Sequence, residues 1–260
     1  MNVRAFTVLC GILSAGSLYA QKTYPTGTVY FRAKDYAGPP VADAPYCGET
    51  RNVRTITQAD GTQKTEEYAP SKSCRDSAGR SRVESPVWLQ PGGPQVGPLE
   101  ILLRDPVARA KYVVYPVNKT VYRQQLPPVK AVHPPRPMPF PAEPAVLASE
   151  EKLGTQVMEG LVVEGRRYTL PPGSSGNWDT RVTRIAESWW SPELGVSVLE
   201  KTSDAVKGEL VHTLIHITRG EPDPEMLRLP PDYAVVDEGG DFTIPWGSES
   251  GAIPVETAGH

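Results

Sequence analysis

Apolar residues in this chain recur mostly at every second position, and turn residues such as Gly, Pro, Asn and Asp break the alternation at short intervals. That is the period of a pleated strand with one face buried. In "TGTVYFRAKDY", Val29, Phe31 and Ala33 alternate with polar neighbours. The segment "LEILLRDPVARAKYVVYPVNKTVYRQQ" predicts a three-strand meander at 99–104, 111–115 and 120–124, turning at Asp105-Pro106 and Val117-Asn118. In "EKLGTQVMEGLVVEGRRYTL", two strands meet near Glu159-Gly160; "DTRVTRIAESWW", "GVSVLEKTS" and "GELVHTLIHITRG" follow, with a turn at Pro192. "LPPDYAV" reads as a short last strand. Helix is expected only at 145–152 and as one turn at 221–226, so the fold class is mainly β and antiparallel.

Between Cys47 and Cys74 lies "ADGTQ", whose Asp60-Gly61 pair is a strong hairpin signal. A two-residue turn there would set Cys47 directly opposite Cys74, which predicts a disulfide; a bulge at Pro70 in the second strand would shift that pairing. The alternative is a pair of free or metal-binding thiols, but their spacing matches no zinc pattern.

Composition sharpens this picture. Twenty-eight prolines and 23 glycines beside 39% apolar residues fit a turn-rich β protein with a real core. Eight of the prolines fall in "LPPVKAVHPPRPMPFPAEPA", residues 126–145, which favours an extended polyproline conformation over sheet pairing. The segment reads as a long surface loop or linker; the other reading is a docking site for a partner. The first twenty residues carry Arg4, a short apolar run and "SLYA", the pattern of a signal peptide cleaved after Ala20, and imply a periplasmic or secreted protein. Leu9 stands where a lipidation signal before Cys10 would need a small residue. No other stretch reaches the length of a membrane-spanning helix. Without the leader, 26 basic residues stand against 30 acidic ones, so no basic stripe attracts nucleic acid. The expected organisation is a signal peptide (1–20), one β domain (21–236) with its proline-rich loop, and a flexible C-terminal tail (237–260).

No chemistry-bearing motif stands out. His212 and His216 are four apart, but β-branched neighbours place them on a strand, roughly 13 Å from each other, too far to share a metal. A nucleophile elbow is missing after the leader, Ser174-Ser175 sit in "PPGSSGN" as a loop, and "QPGGPQVG" opens no helix that would cradle a phosphate. No catalytic residue, metal or cofactor is expected; a hydrolase ranks last among the alternatives.

"ESWWSPEL" poses the remaining question. Neighbours on a strand point to opposite faces, so Trp189 shares its face with Ile185, while Trp190 shares the other with Val182 and Ala186. A sheet covered on both sides accounts for two apolar faces, and so does a curved sheet with an apolar concave cavity. Trp189, Trp190 and Ile185 are therefore either core or the wall of a ligand site.

The string "EKLGTQVMEGLVVEG…ESWWSPELGVSVLEKTSD…GELVHTLIHITRGEPDPEMLRLPPDYAV", with "RDSAGRSRVES" and "DPVARAKYVVYPVNKT" before it, is similar to a signature of uncharacterised exported bacterial proteins. Its order of strand pair, aromatic strand, charged hairpin and P-x-x-Y resembles the lipoprotein-localisation carriers and related envelope-stress sensor domains. That resemblance implies an open, curved antiparallel half-barrel, a lipid or other apolar ligand on its concave face, or an envelope protein partner. The chain departs from the carriers in lacking lid helices and in carrying the proline-rich insertion.

Overall fold

A β-strand satisfies its backbone only by pairing sideways, and here twelve strands do so in one ladder. The computed structural model describes residues 27–31, 40–86, 99–126, 128, 149–172 and 181–246. The leader and nearly all of the proline-rich segment lie outside them. The strands of the first half are β1 (Gly27–Phe31), β2 (Tyr46–Thr57), β3 (Gln63–Arg75), β4 (Ser81–Pro86), β5 (Leu99–Asp105), β6 (Ala110–Tyr115) and β7 (Thr120–Gln125). The second half supplies β8 (Ser149–Met158), β9 (Leu161–Leu170), β10 (Arg184–Ser191), β11 (Val196–Asp204), β12 (Gly208–Arg219), β13 (Ala234–Asp237) and β14 (Phe242–Trp246). The large sheet runs β13-β7-β6-β5-β4-β3-β2-β12-β11-β10-β9-β8 and is curved and open, as the half-barrel expectation required. The only helical pieces among the described residues are two 3-10 turns, Pro116–Asn118 and Pro224–Leu227.

The meander and the four hairpins after it follow the alternation closely. Four expectations need correction. First, the turn between β2 and β3 is one residue longer than a two-residue turn: Gln58 and Thr62 close it, Gly61 has φ +83°, and Thr57 pairs with Gln63. The register is then one residue off until a bulge between Thr50 and Asn52 restores it, with Ala69 and Pro70 opposite Arg51. Proline has no N–H to give the ladder, and a bulge is where a strand tolerates it. Cys47 thus meets Cys74 and the disulfide forms through two compensating departures from the simple hairpin.

Second, residues 149–152 are strand, not helix: β8 pairs with β9 along its whole length, and tertiary pairing overrides the local preference of "SEEK". Third, the tail expected to be loose contains β14, which pairs with β1 as a separate two-stranded ribbon. Phe242 and Ile244 alternate there, both are buried, and the Phe242 ring stacks on Tyr122 with centroids 5.3 Å apart. Polar, glycine-rich flanks hide so short an alternation. Fourth, β13 joins β7 in parallel, the one exception to the antiparallel ladder among the described residues.

Three apolar clusters fill the fold. The β14 residues Phe242 and Ile244 cover Val113, Tyr115 and Tyr122 on one side of the meander. Across the sheet, Leu229 and Tyr233 cover Ile101, Leu103, Val114 and Val121. The third cluster, Tyr46, Leu161, Val163, Leu194, Val198 and Leu214, lies in the other half of the sheet. Arg75 brings this half together. From the end of β3 it donates to the carbonyl of Ala44 (2.8 and 3.1 Å) and to that of Leu194, in the turn between β10 and β11, while its guanidinium lies 4.9 Å from the centre of the Tyr46 ring. In a flat sheet β3 and β11 would be about 14 Å apart, more than an arginine spans, so this contact requires the sheet to curl.

Burial holds the Arg75 guanidinium below its usual pKa, yet an arginine stays charged, so the two carbonyls share a permanent cation. Arg75→Met is expected to lower stability by about 2–4 kcal/mol, because the Ala44 and Leu194 carbonyls lose their donor. Urea unfolding measures this, and an unchanged midpoint would contradict the clasp. Glu100 gives a pH signature. Desolvation raises its carboxyl to about 7 from an ordinary 4.5. The unfolded chain therefore ionises first, and the folded state loses stability as pH rises between those two values. Glu100→Gln should stabilise the protein at about pH 8 and leave it unchanged near pH 4, where both states are protonated. An equal effect at both pH values would show that the carboxyl is not desolvated.

Candidate functional site

Strand β10 presents the two tryptophans at a bulge: Trp189 pairs with Leu199 of β11, but Trp190 pairs with Ser197, so Val198 is the extra residue. Toward β9 the register is unbroken, with Trp189 opposite Gly165 and Trp190 opposite Glu164. A Cβ built on Gly165 would sit 2.5 Å from the Trp189 ring, so the indole lies directly on that glycine backbone. The ring packs against the cluster of Leu161, Val163, Leu194 and Val198. Its N–H donates to Glu187 at 2.7 Å, and Glu187 in turn pairs with Arg167 at 3.0 Å. Trp189 is thus an anchor of a filled core with its polar edge satisfied. Ile185, on the same face but opposite Thr169, is 42% exposed and takes no part in that cluster.

Trp190 is on the other face and only half-buried. Its indole N–H is shielded from solvent and has no acceptor among the described residues. Opposite it is Glu164, and two residues along β9 on that face comes Val162, 58% exposed, which pairs with Val157 of β8, 70% exposed. Val157, Val162 and Trp190 therefore form an apolar strip beside β8, the outermost strand on that side of the sheet. The strip was readable in part: a turn at Glu159-Gly160 sets Val157 opposite Val162. Which face stays uncovered was not.

The histidines behave as strand residues. His212 sits within β12 beside Asn52 of β2, the imidazole Nδ1 and the amide Oδ1 in hydrogen-bond contact, and burial lowers its pKa and favours the neutral ring. His216 is at the β12 bulge with φ +54°, 74% exposed, its Nδ1 3.5 Å from a Glu49 carboxylate oxygen. Among the described residues no three His, Cys, Asp or Glu side chains converge as a metal site would need. Ser174-Ser175 and "QPGGPQVG" lie outside the described residues. No helix among them is long and apolar enough to cross a membrane.

A second feature went unseen in the sequence. The segment 221–233 crosses the meander as a strap, tied by Arg82 donating to the Met226 carbonyl at 3.1 Å and by the ion pair of Lys119 with Asp232 at 2.8 Å. Beneath it lies a cavity of about 150 Å³ between Leu103 and Tyr112 of the sheet and Leu227 and Leu229 of the strap. Its walls come from residues more than a hundred positions apart, so no local pattern announces it.

No protein-family model matches this chain, and no curated protein matches it. Solved structures do match. An uncharacterised conserved protein from Thermus thermophilus aligns over 75% of this chain and 91% of its own, at 10% identity and a TM-score of 0.40. The MucA/MucB complex of Pseudomonas aeruginosa aligns over 74% of this chain and 58% of its own, at 12% identity and 0.39. LprF from Mycobacterium bovis aligns over 78% and 94%, at 12% and 0.33. A putative outer membrane lipoprotein-sorting protein domain from Vibrio parahaemolyticus and a LolA superfamily protein from Nitrosomonas europaea also match, at TM-scores of 0.28 and 0.27. At these TM-scores the likeness is one of general outline, and neither function nor ligand is carried over from it.

Gly165→Val should force the Trp189 ring off the sheet, lower stability by about 1–3 kcal/mol and red-shift the tryptophan emission. Unchanged emission and stability would show that the indole does not rest on Gly165.

Proposed function

We propose that this chain is a non-catalytic binding protein of the cell envelope, exported by its N-terminal leader, whose sheet is a rigid scaffold for an apolar contact surface. The observation that supports this best is the strip formed by Val157, Val162 and Trp190. Two β-branched side chains stay largely exposed beside a half-buried tryptophan, although the same sheet buries Leu161 and Val163 completely. Large exposed apolar groups gathered beside one sheet edge mark a contact surface more often than scattered single residues do. Three of the reactive groups have structural partners: the thiols are joined, His212 meets Asn52, and Glu187 holds Trp189 and Arg167.

Two kinds of contact suit such a strip, a lipid or other apolar ligand and an envelope protein. The packed core behind Trp189 favours the second, because the Trp189 side of β10 is filled by the chain's own residues. The proline-rich segment 126–145 offers a second docking element for such a protein partner.

The double variant Val157→Lys/Val162→Lys tests the reading at surface positions. It is expected to fold with an unchanged melting temperature and to lose, by about tenfold or more, the complex that the wild-type chain forms with envelope components on its native membrane. Cross-linking followed by mass spectrometry reads the protein partner, and native mass spectrometry reads a retained lipid. Equal complex formation by wild type and variant would remove the strip from the function.

A further inference from the structure

Strand β8 ends the sheet, and among the described residues nothing pairs with its outer side. Natural sheets guard such edges with charges, bulges or prolines. Here the guard covers only the first half of the strand. Glu150, Glu151 and Lys152 stand at its start, and a bulge follows between Lys152 and Gly154, whose φ is +84°. From Thr155 to Met158 the strand carries no charge, no proline and no bulge.

The hairpin turn decides which backbone groups face outward. Met158 and Leu161 flank a two-residue turn in which Glu159 and Gly160 have φ +49° and +73°. Two positive values mark a type I′ turn, whose flanking residues form a hydrogen-bonded pair. Bonded and non-bonded pairs alternate from there, so Gln156 bonds to Val163, while Val157 and Thr155 turn their N–H and C=O groups away from β9. Their side chains lie on the face of Trp190, since Val157 pairs with Val162, Thr155 with Glu164, and Glu164 with Trp190. The open backbone groups therefore belong to residues beside the apolar strip.

Charge marks the same place. The other carboxylates on β8, β9 and β10 are matched: Glu150 with Arg166 at 2.6 Å, and Glu151 and Glu187 with Arg167 at 3.0 Å each. Glu164 is exposed and makes no ion pair among the described residues. A residue placed opposite Thr155 on an added strand would stand two strand spacings, about 10 Å, from Glu164. An arginine and a glutamate extended toward each other close that gap. We propose, building on the contact-surface reading, that the edge at 155–158 takes up an extended segment of a partner protein as one further antiparallel strand. That segment sets an apolar side chain opposite Val157 and an arginine or lysine opposite Thr155, with its cation on Glu164. The edge supplies main-chain hydrogen bonds and the strip supplies side-chain selection, a division that a lipid, without N–H groups in register, cannot use.

The test is a titration of the full chain, followed by amide chemical shifts, with the acetylated and amidated peptide Thr-Val-Thr-Arg-Thr. Saturable shifts are expected at Thr155, Val157 and Glu164 and at the indole N–H of Trp190. The peptide with glutamate in place of arginine should bind at least about tenfold more weakly. N-methylation of its valine and arginine removes the two N–H groups that face β8 and should abolish the shifts. Thr155→Pro removes an outward N–H where an edge strand accommodates proline, leaves Val157, Val162 and Trp190 in place, and should weaken the arginine peptide by about tenfold or more. Glu164→Lys should reverse the preference between the arginine and glutamate peptides. Equal binding of these two peptides, equal binding of the N-methylated peptide, or no saturable shift would each overturn the strand assignment. In the native-membrane complex, loss in Val157→Lys/Val162→Lys with full retention in Thr155→Pro and Glu164→Lys would keep the contact surface and remove the added strand; retention in every variant would remove both. The peptide series on the wild-type chain decides even if a variant fails to fold.

Discussion

The guanidinium of Arg75 touches at once the start of β2 and the turn between β10 and β11, places that a flat ladder would hold well apart. Its contacts fix the curvature of the second half of the sheet, and the cluster of Leu161, Val163, Val198 and Leu214 forms around that curvature. A buried cation is costly unless every donor finds an acceptor. Here backbone carbonyls and the face of Tyr46 receive it, without a carboxylate, so the contact is insensitive to pH over the usual range. Arg219 repeats the device at the same end of the sheet, donating to the Gly160 carbonyl and pairing with Glu193 at 2.9 Å. Hairpin tips that would otherwise splay are thereby gathered by two arginines.

Curvature has a consequence for where apolar surface is left over. In the meander both faces are covered, one by the β1–β14 ribbon and the other by the strap, and each cover brings its own aromatic or leucine residues. At the start of β9 the chain covers the face of Leu161 and Val163, whereas at its far end the opposite face is the covered one, with Leu170 and Ala186 buried. Val157 of the edge strand β8 and Val162 of its neighbour β9 remain exposed on the face opposite Leu161 and Val163. The bulge at Trp189 and Trp190 lies at this change of environment: one indole joins the core, and its neighbour stands half in the open. The two tryptophans that looked equivalent in sequence thus have different physical roles.

Much of the architecture is present in short-range patterns. Period-two alternation and the turn residues place the meander, the β8–β9 hairpin and the three strands after it, because each of those pairings joins neighbours in sequence and is dictated by local turn chemistry. The pairing of Cys47 with Cys74 was legible for a partly wrong reason. A longer turn at Gly61 and a bulge at Pro70 cancel, and only the second had a signal in the sequence. The strand at 149–152 was hidden by charged residues with no β preference, which an edge position tolerates.

The order of residues carries the fold class, the succession of hairpins and the disulfide pair, since these rest on periodicity, turn residues and residue inventory. Long-range packing set the rest: the curl held by Arg75, the docking of β14 on Tyr122, the parallel join of β13 to β7, the exposure of Val157 and Val162, and the cavity under the strap. Each of these unites residues far apart in the chain, and a pattern that repeats every two residues says which side chains share a face but not what will come to cover it.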